Sequence, residues 1–259
     1  MMERLAPMLA TVAILEGCNH MECVGDASES TPAGTNDWGA DMILGKQGKD
    51  EVFLGFARWA DASNPTVYVE GDEALHGAVS AAIDMWNPLL TAAGLPSLTL
   101  GEEENRYDDL EIDPSLSLST IAEGLDTGDI LVVNTPLDVF DAYTDRGDPK
   151  LGLTQIIRTD CSSLDLTGAV IALDPDAEMR GLDFRTLVGH ELGHALGLDH
   201  PTRTDLIMSA APIVGTYANA TTEGVGLICI KDPWQDPETC LEPEFTLENG
   251  TTYVPADHQ

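Results

Sequence analysis

The stretch from His190 to His200, HELGHALGLDH, decides how the chain is read. It contains H-E-x-x-H, extended to H-E-x-x-H-x-x-G-x-x-H. Three of the six histidines of the chain fall inside it. The preceding residues, Leu182 to Gly189, place Phe184, Leu187 and Val188 at helical spacing, with Asp183 as the expected N-cap. On such a helix His190 and His194 are four apart, so both imidazoles leave one face. Gly197 suits the left-handed conformation that ends a helix. His200 can then turn back toward the other two, and Pro201 forbids simple continuation of the helix.

Three neutral imidazoles can close on one zinc ion and leave the fourth tetrahedral position open, which is the mark of a catalytic site. Glu191 sits one step round the helix from His190. It need not be a ligand, and it can accept the proton of a water at the open position. The chemistry these residues imply is zinc-dependent hydrolysis of peptide bonds. Downstream, Met208 lies eight residues after His200, and a methionine beneath the three histidines would give the site a soft apolar floor.

These residues resemble the metzincin metalloproteases, and the His-to-Met spacing is most similar to the matrixin branch. The resemblance implies that His190, His194 and His200 bind zinc, that Glu191 is the general acid/base, that Gly197 makes the turn and that Met208 is the Met-turn methionine. Astacins and serralysins carry a zinc-binding tyrosine two residues after that methionine. Ala210 stands there in this chain, and Tyr217 receives no metal role.

Upstream, Thr66 to Val69 reads as a strand and Glu73 to Thr91 as a long amphipathic helix, with Ala78, Ala81, Ala82, Ile83 and Trp86 on its apolar side. Leu98 to Leu100, Asp129 to Asn134, Gly152 to Arg158 and Gly168 to Asp174 read as strands. The acidic segment from Glu102 to Asp129 reads as a long loop between two of them. The order of strand, helix, four strands and active-site helix is similar to the metzincin upper subdomain. The expected fold is therefore α+β and zincin-like, with a mixed twisted sheet, two main helices and a small C-terminal subdomain. The resemblance further implies a peptide laid along an edge strand, for which 152–158 is the candidate. Ala211 to Val214 would wall the pocket after the cleaved bond.

Two features of the matrixin pattern are missing from the sequence. His20, His76 and His258 are too scattered for a second zinc, and no cysteine-switch propeptide is visible. Cys23-Val24-Gly25-Asp26 matches such a segment only loosely.

The formal net charge is −33, from 45 acidic and 12 basic residues. Such a balance argues against nucleic acid and against anionic membrane surfaces as partners. Most of these carboxylates read as a solvated acidic face with no specific ligand. Adaptation to saline surroundings and calcium binding by acidic loops, for instance around Asp138, Asp141, Asp145 and Asp148, are the alternatives, although no EF-hand spacing is present.

Residues 1–17 read as a signal peptide, with Arg4 followed by the apolar run Leu5 to Leu15. Leu15-Glu16-Gly17-Cys18 resembles a lipobox, with Glu16 a poor fit. Residues 18–50 read as a flexible acidic linker, and residues 51–259 as the catalytic domain with its tail. The expectation is an exported monomer, extracellular or at the cell surface, touching a membrane only through a lipid on Cys18. Its partner would be a protein or peptide substrate. Cys229 with Cys240 is the first pairing expected, and Cys161 with either is the alternative. A zinc-binding surface lipoprotein without turnover, used for adhesion or scaffolding, is the rival reading. The intact Glu191 separates the two.

Overall fold

A computed structural model describes residues 45–47, 53–56, 58–59, 64–102, 106–107, 124–134, 151–158, 165–175, 184–198, 200, 206–209, 215–218, 222–231, 245–246 and 252–253. Residues 1–17, Asp183, the acidic group at 138–148, Ala210 to Val214, and Cys18, Cys23, Cys161 and Cys240 lie outside the described residues.

Three short strands come first: β1 (Gly45–Gln47), β2 (Phe53–Phe56) and β3 (Arg58–Trp59). The first long elements are strand β4 (Thr66–Glu70) and helix α1 (Glu73–Ala93). Asp72 caps α1, its Oδ1 accepting from the Leu75 N–H at 3.0 Å, so one of the orphan donors of the first turn is satisfied. The helix runs two residues beyond the expected end. It stops at Gly94, whose φ of 69° frees its N–H to reach back to Leu90 and Thr91. Asn87 then ties down the outgoing chain, with Nδ2 donating to the Leu98 carbonyl and Oδ1 accepting from the Leu98 N–H. That clamp starts β5 (Thr99–Leu100), which pairs parallel to β4.

Strands β6 (Asp129–Asn134), β7 (Gly152–Arg158) and β8 (Asp165–Leu173) follow. β8 starts three residues earlier than its apolar run suggested. The sheet is six-stranded and mixed, in the order β3-β8-β6-β4-β5, with β7 also paired to β8. All pairs are parallel except β7 with β8. Two further ladders, of β1 with β2 and of β9 (Phe245–Thr246) with β10 (Thr252–Tyr253), were not expected.

Alternation along the strands sorts side chains to two faces. Val67, Ile130, Val132, Ala169, Ile171 and Ile156 join the main core with the helices. Leu131, Val133, Val170 and Ala172 face the other way, under Tyr107, Tyr68 and Leu125. β6 reads as a continuous apolar run because both its faces are covered.

The chain is thus α+β, but the described helices number three. After α2 (Phe184–Ala195) comes α3 (Thr222–Lys231), which carries Cys229 in its backbone. The two main helices expected are α1 and α2. The shorter α3 was not marked in the sequence because its apolar run, broken by Gly224 and Gly226, gives little helical propensity.

α2 packs on the same sheet face as α1. Two tryptophans fix it through its carbonyls. Trp86 Nε1 donates to Gly189 O and Trp59 Nε1 donates to Ala195 O, each at 2.8 Å. Each buried indole N–H thereby finds an acceptor, and each large ring fills core volume.

Candidate metal centre

α2 ends as its sequence dictates. The Leu198 N–H reaches the Gly193 carbonyl at 3.0 Å and the Gly197 N–H reaches His194 O at 2.9 Å. Gly197 sits between them at φ 100°. This is a Schellman closure, and the positive φ is the reason for glycine. The turn carries His200 back over the helix.

His190, His194 and His200 converge. Each Nε2 lies 3.1 Å from the other two. The His190 ring is nearly perpendicular to that of His194, at 89°. His190 and His194 are buried, and His200 is half-buried. The tautomers follow from the far side of two rings. His190 Nδ1 lies 2.6 Å from Ile207 O, and His194 Nδ1 lies 2.8 Å from Leu198 O. A carbonyl oxygen only accepts, so each Nδ1 carries the proton and donates it. The Nε2 lone pairs of His190 and His194 therefore point into the same small space.

Burial lowers His190 to about 4, with repulsion from His200 second; the bond to Ile207 O works in the opposite direction. Burial lowers His194 well below the ordinary histidine value, with repulsion from His190 and His200 adding to it. Both rings are neutral at pH 7, as metal ligation requires. Lone pairs held face to face without a shared proton are mutually repulsive, and a cation between them removes that cost. The 3.1 Å spacing is also close to the edge, roughly 3.3 Å, of a tetrahedron of nitrogens bonded at about 2.0–2.1 Å. The three side chains could hold a metal ion.

Met208 is fully buried. Its Sδ lies against Gly193, where any Cβ would collide with it. The turn around Met208 is held from α3. Glu223, fully buried, accepts at Oε1 from the N–H groups of Ile207 and Met208, at 2.9 and 3.3 Å. Ile207 thus takes its N–H to Glu223 and gives its O to His190. Tyr217 is exposed.

Glu191 is buried on the same helix. Thr154 Oγ1 on β7 donates to its Oε2 at 2.6 Å and lies 3.1 Å from its backbone O. Gly152, two residues earlier on the same strand face, touches the rest of the carboxylate.

Reasoning from sequence singled out the three histidines, Glu191, Gly197 and Met208. It missed Thr154, Gly152 and Glu223. Signals for two of them were present: Thr154 is a hydroxyl at the same strand parity as the core residue Ile156, and Glu223 is a carboxylate before an apolar run. Polar groups at core-facing positions need a partner, but the partner is not legible from spacing. The chain matches no protein-family model and no curated protein.

Proposed function

We propose that this protein is a zinc-dependent endopeptidase of the metzincin type, closest to the matrixin branch. The observation that carries the reading is the three-histidine cluster with a buried glutamate on the same helix. Three histidine Nε2 donors suit zinc, whereas calcium and magnesium prefer oxygen ligands.

His190, His194 and His200 would hold the ion through Nε2. When bound, zinc acidifies water and polarises a scissile carbonyl. Glu191 takes the proton of the attacking water on its carboxylate and delivers it to the leaving amine nitrogen. Ile207 O and Leu198 O hold the Nδ1 protons of two ligands and so keep both rings oriented. β7 supports Glu191 from one side, and among the described strands β8 is its one partner. A substrate peptide lying along β7 would run past Glu191 and be held by strand addition.

Export, with or without a lipid on Cys18, is part of the same proposal. It rests on Arg4 with the apolar run Leu5 to Leu15, and on the polar, acidic stretch after Cys18.

The test is hydrolysis of casein or a fluorogenic peptide library by the purified chain, with metal analysis of the same sample. Activity removed by a chelator and restored by zinc supports the endopeptidase. One bound zinc without turnover supports the rival, a binding-only surface protein. No bound metal overturns both.

A further inference from the structure

The helix-facing side of β7 places Gly152, Thr154 and Ile156 toward α2. Ile156 is an ordinary core residue. Thr154 is not, because it is 6% exposed and a valine of the same shape would fill the volume without a polar atom to satisfy. Its hydroxyl has one proton. The nearer acceptor is the carboxylate oxygen, Glu191 Oε2 at 2.6 Å, and the Glu191 backbone O lies farther off at 3.1 Å. The shorter bond is the stronger of the two.

The other half of the carboxylate meets the strand backbone. A Cβ on Gly152 would collide with Oε1 and would stand 2.8 Å from both Cδ and Cγ of Glu191. Any side chain there must displace the glutamate. One carboxylate oxygen is therefore tied to a hydroxyl and the other is packed against a glycine.

We propose that Thr154 is a positioning residue that, with the gap at Gly152, fixes the Glu191 carboxylate in the orientation needed for proton transfer. This rests on the endopeptidase reading. A glutamate side chain has three rotatable bonds, and proton transfer requires hydrogen-bond reach at a defined oxygen. The strand removes that freedom before substrate arrives. Thr154 is buried against α2, so its effect falls on turnover and not on substrate binding.

The test uses the full chain loaded with one equivalent of zinc and compares wild type, Thr154→Val and Thr154→Ser. Thr154→Val is expected to lower kcat about 10- to 100-fold and to leave KM within about twofold. Bound zinc stays at the wild-type level. Thr154→Ser, which keeps the hydroxyl, restores most of kcat. Crystal structures of the variants supply a second readout: the Glu191 carboxylate leaves its position in Thr154→Val and keeps it in Thr154→Ser. Should Thr154→Val fail to fold, Gly152→Ala takes its place, with the same loss of kcat expected at unchanged KM.

The proposal is overturned by an unchanged kcat in the folded variant, by a loss confined to KM, by failure of Thr154→Ser to rescue, or by an unmoved Glu191. If wild type cleaves no peptide, the endopeptidase reading fails separately. The position of Glu191 in the variant crystals then still decides the role of Thr154.

Discussion

Ile207 O accepts from His190 Nδ1 at 2.6 Å, while the N–H of the same residue donates to Glu223 at 2.9 Å. One peptide unit on each side of Ile207 thus links a buried acid on α3 to the His190 ring on α2. Glu223→Ala leaves the N–H groups of Ile207 and Met208 buried without this acceptor. The expected cost is about 1–3 kcal/mol for each donor left unpaired. Metal affinity should fall about 10- to 100-fold because the His190 ring loses its fixed partner. Glu223→Gln keeps an acceptor oxygen and should lose less of both. Denaturant titration of the metal-free protein and competition against a chromophoric chelator measure the two effects. Unchanged metal affinity in Glu223→Ala would show that the link does not bear on the site.

On the proposed mechanism, Glu191→Ala should abolish peptide hydrolysis and leave the metal in place, because the carboxylate would act on a proton and supply no ligand. Metal content and turnover measured on one sample separate the outcomes. Lost metal would make Glu191 a structural requirement, and undiminished turnover would exclude it as the base.

The metal-free protein should lose stability as the pH falls from about 6.5 toward 4. The sign follows from the direction of the shift. His190 is held at about 4 in the folded chain by burial and by His200. In the unfolded chain it titrates near 6.5, so between these values the unfolded state binds more protons and is favoured. His190 alone could contribute at most roughly 3 kcal/mol, complete near the lower end of that window. His194, lowered for the same reasons, adds in the same direction. Bound metal should move the transition to lower pH, since ligation excludes the proton. Thermal melts with and without zinc across pH 4–8 test this, and a flat profile for the metal-free protein would refute it.

Gly197→Ala should cost about 1–2 kcal/mol, since φ of 100° is unfavourable for any residue with a Cβ. The turn it serves delivers His200, so metal affinity should fall along with stability. Calorimetry of metal binding would show it. Wild-type affinity in the Gly197→Ala variant would mean that His200 is placed by other contacts.

Part of this site was written in the sequence because its physics is local. A four-residue spacing on a helix places His190 and His194 on one face whatever surrounds them, and Gly197 ends that helix by its own backbone freedom. The strand at Gly152–Arg158 and the helix beginning at Glu73 were legible for the same reason, since their periodicity is carried by neighbours in sequence. Tertiary structure decided what meets across the fold. Thr154 reaches Glu191 over 37 residues, Glu223 reaches Ile207 over 16, and Trp86 reaches Gly189 over 103. None of these pairs has a spacing that encodes it. Each is fixed only when the sheet and helices close on a common core, because burial then leaves each polar group one partner within reach.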